Sequence, residues 1–159
     1  MIKLNPLTRF LDKVQLVMST RLNRRTSNLH SALYRWTGGM LGGRVREIKV
    51  LLLTTTGRKT GNRHTSPLNY LPYKGKYAVV ASNFGRDNHP AWYLNLTANK
   101  AGTVQIGSTT IEVRAREATE EERAHLWPLL VSKVRNYGDY EKMTTRKIPM
   151  MILEPVEQA

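Results

Sequence analysis

The stretch Ile48-Lys49-Val50-Leu51-Leu52-Leu53-Thr54-Thr55-Thr56-Gly57-Arg58-Lys59-Thr60-Gly61-Asn62-Arg63-His64-Thr65-Ser66-Pro67-Leu68-Asn69-Tyr70 decides how this chain is read. Apart from Lys49, residues 48–56 are β-branched or aliphatic, which is the composition of a strand buried on both faces. Gly57 to Asn62 is a polar turn containing two glycines. Arg63 to Tyr70 alternates and reads as the returning strand. A return this short forces antiparallel pairing, because a parallel neighbour needs a crossover of about a dozen residues.

The same logic extends downstream. Lys74-Gly75 turns into a third strand, Tyr77 to Ser82, and a polar loop follows from Asn83 to His89. Pro90 is expected at the first position of a short helix, Ala91 to Ala98. Thr103 to Ile106 and Ile111 to Arg116 form a hairpin about Gly107-Ser108. Thr119 and Glu122 have capping-box spacing, with Glu120 and Glu121 favourably placed in the first turn. That helix is expected to reach Trp127, where Pro128 kinks it or begins another segment. A last strand, Ile148 to Leu153, is expected to end before Pro155.

Upstream, Leu7, Phe10, Leu11, Val14, Val17, Met18 and Leu22 recur at helical spacing. Ser27 reads as the N-cap of a second helix carrying Leu29, Leu33 and Trp36, and Gly38 to Gly43 connects it to the first strand. The expected fold is therefore α+β, an antiparallel barrel of about six strands with helices packed outside it. One domain spans residues 1–159, with a basic helical segment at 1–44 and the barrel core at 45–159.

Composition narrows the chemistry. The 159 residues include no cysteine, which removes disulfides, zinc ribbons, a thiol nucleophile and thiolate-bound clusters. The net charge is +13, and residues 1–63 contribute most of it, their only acidic residues being Asp12 and Glu47. A basic half beside a nearly neutral half points to an anionic partner. The four histidines are widely spaced, and no metal-ligand motif or nucleophile elbow is present. If the chain is an enzyme, a bound cofactor carries the difficult chemistry. With no secretory pattern and no apolar run near ~20 residues, the expected location is cytoplasmic, or peripheral on the inner face of the cell membrane.

Three clusters carry polar or aromatic groups suited to a site. In Thr54 to Gly61, two glycines allow a tight turn, while Arg58, Lys59 and Thr60 offer a forked donor, a point charge and a hydroxyl. Such groups hold a phosphate or carboxylate, although a G-R-K-T-G hairpin is also an ordinary exposed turn. Ala81 to Gly85 and then His89 to Asn95 place Trp92, Tyr93 and Asn95 beside a helix start, where anions are favoured. Trp92 and Leu96, at i and i+4, equally suit a core. Tyr137-Gly138-Asp139-Tyr140 is either pocket lining or a helix connection.

In this order, the clusters resemble the deazaflavin-dependent nitroreductase family of F420-dependent oxidoreductases. The resemblance runs from about Gly38 to Pro155. It is carried by Leu51 to Gly61, Val80-Ala81-Ser82, His89 to Leu96, Ala115 to Arg123, Trp127-Pro128, Ile148-Pro149 and Leu153-Glu154-Pro155. It implies a split β-barrel, often dimeric, that binds reduced coenzyme F420 (F420H2) through its phosphate and polyglutamate tail. The cofactor groove it implies begins with Arg58, Lys59 and Thr60 and continues along His64, Thr65, Ser66, Pro67, Leu68 and Asn69. Val80, Ala81, Ser82 and Asn83 extend it, Ala91, Trp92, Tyr93, Leu94 and Asn95 follow, and Tyr137 closes over the ring.

The implied reaction is hydride transfer to a quinone-like, nitroaromatic or other conjugated small molecule. Ser82, Tyr137 and Tyr140 are the candidates for orienting the acceptor or relaying a proton, and no dedicated base is expected. His64 and Asn83 stand where family members often carry basic residues. Asn69 and Val134 stand where nitroimidazole-reducing members tend to have tyrosine, which implies a less aromatic pocket. Two other readings remain open. One is an F420 or flavin carrier or sensor without turnover. The other is a basic module whose N-terminal helix lies on anionic membrane or nucleic acid, with nucleic acid disfavoured by the low aromatic content and missing motifs.

Overall fold

The computed structural model describes residues 44–45 and 48–156. The helices expected within residues 7–36 and the glycine-rich connector lie outside those residues. A two-residue strand β1 (Arg44–Val45) pairs with the start of β2 (Ile48–Thr56). β2 pairs with β3 (Arg63–Tyr73) from Lys49↔Tyr70 to Thr56↔Arg63. β3 then pairs with β4 (Lys76–Val80) through Tyr70 to Tyr73. Helix α1 (Ala91–Asn99) leads into a hairpin of β5 (Ala101–Ile106) and β6 (Thr109–Glu117). Helices α2 (Glu120–Lys133) and α3 (Asn136–Met143) precede β7 (Met150–Pro155).

β7 lies between β4 and β6, and Leu52 to Thr55 of β2 pair with β5. Six strands thus close, in the order β2-β3-β4-β7-β6-β5, into the antiparallel barrel expected from the sequence. The β2–β3 turn, the loop after β4, α1 and the segment before β7 all gather at one end. The tight turns at Lys74–Gly75 and Gly107–Ser108 lie at the other.

Two apolar cores flank the barrel wall. Inside, Leu51 and Leu53 meet Val79, Val104, Val113, Met151 and Leu153, while Trp92, Tyr93 and Leu96 of α1 plug the end. Outside, Leu71, Ala78, Val80 and Ile152 are covered by Leu126 and Leu130 of α2 and Tyr137 of α3. Each fully buried leucine stabilises the fold by roughly 2 kcal/mol.

Several boundaries differ from the sequence reading. Pro90 is the N-cap of α1 rather than its first residue. α2 runs through Pro128 to Lys133. Leu126 and Leu130 anchor one face across the proline, and the carbonyl it leaves unbonded belongs to exposed Ala124, where water can satisfy it. β7 begins at Met150 and includes Pro155, which pairs with Val113, while β4 ends at Val80. α3 was not expected as a helix.

The capping box is present: Thr119 Oγ1 accepts from the Glu122 N–H at 3.2 Å, and Glu122 Oε2 accepts from the Thr119 N–H at 2.9 Å. Arg116 also donates to both oxygens of Glu122, at 2.7 and 2.8 Å, and to Glu154 at 3.0 Å. The guanidinium holds the Glu122 carboxyl down at about 2. A depressed carboxyl contributes stability in full above its ordinary value near 4.5, and that contribution disappears as pH falls toward 2. Glu122→Gln is therefore expected to cost about 1–2 kcal/mol at neutral pH, after allowing for solvent screening at half-exposed Arg116. Urea titrations of both proteins should show that gap at neutral pH and lose it near pH ~2. An equal gap at both would remove the charge from the explanation.

Candidate active site

β3 has strand neighbours on both sides only at Tyr70, since β2 covers residues 63–70 and β4 covers residues 70–73. Along residues 63–69 its second edge is open, and the barrel is split there. Pro67 sits on this open stretch, where its missing N–H leaves no partner strand short of a bond.

α3 stands over the outer face of the slit. Asn69 Nδ2 donates to Tyr137 Oη at 3.4 Å. Tyr137 meets Tyr140 edge-on at 6.0 Å, and Tyr140 meets Phe84 edge-on at 6.1 Å, so the three rings form one wall. Burial pushes the Tyr137 phenol up to about 12, with the nearby Tyr140 adding to the shift and the Asn69 amide opposing it. Phe84 belongs to the turn Asn83–Gly85, in which Asn83 and Phe84 have φ of 47° and 57°. Two successive left-handed residues other than glycine cost about 1–2 kcal/mol each and need outside support. Asn83 Nδ2 supplies some by donating to the Asn88 carbonyl at 2.8 Å. Ser82, half-buried at the start of this turn, has no hydrogen-bond partner for its hydroxyl among the described residues.

The β2–β3 turn is rigid in its backbone and open in its side chains. Gly57 N–H donates to Asn62 O at 2.7 Å, and Gly61 N–H donates to Gly57 O at 2.8 Å. A Cβ on Gly57 would lie 2.8 Å from Thr60 Oγ1 and 3.2 Å from His64 Nε2, so those two side chains close over the glycine. Arg58 N–H donates to Asn95 Oδ1 at 3.1 Å, and Asn95 Nδ2 donates to Thr55 Oγ1 at 3.2 Å. The Arg58 and Lys59 side chains are exposed and form no ion pair among the described residues. Arg63 points to the opposite face from His64, as alternation requires, and donates to Thr103 Oγ1 at 3.1 Å.

The structure divides the sequence candidates into three places. Thr65, Pro67 and Asn69 share the outer face of β3 with Tyr137, near Val80, Ser82, Asn83 and Tyr140. Arg58, Lys59 and Thr60 lie in the turn, which buried Asn95 braces from behind. His64, Ser66 and Leu68 alternate onto the inner face, where Leu68 packs against the interior core. Trp92, Tyr93 and Ala81 are buried in that core, Leu94 packs on it, and Ala91 is exposed.

Tyr93 opens instead onto a cleft of about 320 Å³ lined by His89, Glu117, Arg123, Arg146 and Lys147 among others. Its hydroxyl donates to Glu117, and burial together with that bond pushes the phenol up to about 12. Arg146 is the residue the sequence reading missed. Its Nη2 donates to the Ala81 and Ser82 carbonyls at 3.1 and 2.8 Å, across more than 60 residues of chain. No local pattern announces such a contact. Among the described residues, no group of three His, Asp or Glu could hold a metal ion, and no helix is long and apolar enough to cross a membrane.

The donor set fits a long, anionic, flavin-like group. Two exposed cations without an ion pair among the described residues stand with a hydroxyl at the turn, groups suited to a phosphate. Aromatic rings stand at the slit near a serine hydroxyl that has no partner among the described residues, groups suited to a flat ring. A filled antiparallel barrel, slit on one flank and edged by such a turn, defines the class of split-barrel oxidoreductases. The sequence profile of the F420H(2)-dependent quinone reductases matches residues 26–155, and the chain belongs to that family. It is accordingly an F420H2-dependent reductase with coenzyme F420 as its hydride donor.

A Mycobacterium tuberculosis protein is 39% identical over 110 residues, covering 69% of this chain and 92% of its own length. A second, named F420H(2)-dependent quinone reductase, is 36% identical over 129 residues, 79% of this chain and 87% of its own. A solved F420-H2 dependent reductase, FDR-A, is 42% identical with a TM-score of 0.60, covering 66% of this chain and 93% of that one. A domain-swapped dimer structure is 35% identical with a TM-score of 0.63, covering 83% and 98%.

Proposed function

We propose that the slit between β3 and the Ser82–Phe84 segment, roofed by α3, is where F420H2 and a quinone acceptor meet. The observation that carries this reading is the meeting of three separate parts of the chain: Asn69 of β3 donates to Tyr137 of α3, and Phe84, two residues after Ser82, lies edge-on to Tyr140 of the same helix. Bound F420H2 supplies a hydride, two electrons as one pair. The remaining tasks are positioning, exclusion of water and delivery of one proton to the quinone oxygen.

Arg58, Lys59 and Thr60 hold the phosphate. Tyr137 is protonated throughout the neutral range, and because Asn69 donates to its oxygen, its own proton remains available to a groove acceptor. Ser82 offers a second donor. Tyr140, placed by its edge contacts with Phe84 and Tyr137, walls the acceptor. Two copies form the working assembly in this reading, supported by the domain-swapped relative and checked by light scattering of the purified chain. Contact of residues 1–44 with anionic membrane rests on their charge and on the helical spacing of their apolar residues. Unchanged liposome flotation after removal of residues 1–40 would eliminate it.

The direct test is titration with F420, and with flavin mononucleotide in parallel, followed by tryptophan fluorescence. Saturation by F420 alone supports the reading, and no F420 binding defeats it. For Tyr137→Phe the expected result is about a tenfold or greater fall in kcat with menadione, with F420 affinity held within about twofold. Equal turnover would remove the phenol from the mechanism.

A further inference from the structure

Among the described residues the Arg146 guanidinium hydrogen-bonds no side chain at the slit, yet it grips both ends of the segment that edges it. Nη2 donates to the Ala81 and Ser82 carbonyls, Nε donates to the Arg86 carbonyl at 2.8 Å, and Nη1 meets His89 Nδ1 at 3.1 Å. Between these points lie Asn83 and Phe84, the two left-handed residues. Two residues before Arg146, Thr144 Oγ1 donates to Asp87 Oδ1 at 2.8 Å, so the strip leading into β7 holds the same segment twice. Few residues other than arginine can span three carbonyls and an imidazole, because its five N–H donors are fixed in one plane.

The His89 contact adds a condition. A guanidinium only donates, so His89 Nδ1 must accept, which places the ring proton on Nε2. A protonated imidazole would set N–H against N–H and cation against cation. His89 is faced by Tyr93 of α1, whose ring lies 4.7 Å away, and by Glu117 at the end of β6. Glu120 and Arg123 of α2 and Lys147 line the same cleft, and Asp87 lies on its own loop. Burial and the Arg146 charge lower its pKa, against partial opposition from Glu117.

We propose that Arg146 is a positioning residue for the reductase reaction, holding Ser82 by its carbonyl and Phe84 between the gripped Ser82 and Arg86 carbonyls, and that it does so only while His89 is neutral. The proposal rests on the slit being the reaction site. Lysine can replace one or two of the bonds but not the planar set. Arg146→Lys is therefore expected to lower kcat about tenfold while F420 affinity stays within about threefold and the melting temperature stays near the parent's. The parent's kcat should fall as pH drops below His89's ordinary value near 6.5, whereas His89→Asn, which accepts at any pH, should flatten that fall.

The test uses the full chain, F420H2 and menadione, with thermal unfolding recorded for each variant. Parental kcat in Arg146→Lys, a kcat loss no larger than the folded fraction lost, or an unaltered pH profile in His89→Asn would each overturn the proposal. Lys59→Ala and Tyr137→Phe are measured alongside. If those two are impaired and Arg146→Lys is not, the clamp fails alone. If both behave as the parent, the slit reading fails and takes the clamp with it.

Discussion

Arg58→Ala combined with Lys59→Ala will bind F420 roughly 100-fold more weakly than the parent, with a melting temperature almost unchanged. Each cation is expected to make a charge-assisted bond to phosphate worth about 1.5–3 kcal/mol, and exposure reduces the sum to about 3 kcal/mol. The fold is spared because neither side chain forms an ion pair among the described residues, and the turn is held by Gly57, Gly61 and the Asn95 amide. Salt supplies an internal control. The parent's affinity should fall steeply with ionic strength, while the variant's should respond weakly. Overlapping binding isotherms for the two proteins would show that the phosphate lies elsewhere.

Gly85→Ala will reduce turnover more than tenfold and destabilise the chain by about 3 kcal/mol. Gly85 has φ of +74°, and an added Cβ would stand 2.9 Å from Met143 Cβ and 3.2 Å from the Tyr140 Cα and carbonyl oxygen. Those are backbone or near-backbone atoms, so no side chain can swing aside and α3 itself must move. That helix carries both tyrosines of the slit. Gly75→Ala is the matched comparison, with φ of +75° and nothing within 4 Å of the added carbon. It should cost only the left-handed penalty of about 1–2 kcal/mol and leave kcat intact. Equal turnover in the two variants would separate α3 from catalysis.

The barrel was legible because each of its strands is announced locally. Residues 48–56 are β-branched or aliphatic apart from Lys49, the composition of a strand, and Gly57, Gly61, Gly75 and Gly107 mark reversals, all but Gly57 at positive φ. The α2 start was equally plain from Thr119 and Glu122. α3 was not, because Gly138 and Asp139 are poor helix formers, and packing of Tyr137 beneath it holds it in place. β7 was displaced by two residues because its start is fixed by pairing of Val80 with Met150, a contact between distant segments.

The candidate site was legible as a set of residues but not as an arrangement. The alternation of His64 to Asn69 can be read from sequence, but which face meets Tyr137 depends on α3. Asn95 looked like groove lining because it is a polar residue in the first turns of a helix. Folding commits its amide to Thr55 and to the Arg58 backbone. Arg146 was invisible for the converse reason: its partners are main-chain carbonyls, which have no residue type to read.

The two tight turns at Lys74–Gly75 and Gly107–Ser108 sit at the barrel end opposite the Ser82–Phe84 turn, with the whole of β4 between Gly75 and that turn. A six-residue strand such as β5 spans roughly 20 Å. Such loop tips tolerate inserted chain well. A dye, a solid support or a second enzyme that regenerates F420H2 could be joined there and would leave the slit unobstructed. The protein thus has a built-in handle, and it can be immobilised or coupled without redesigning the proposed reaction site.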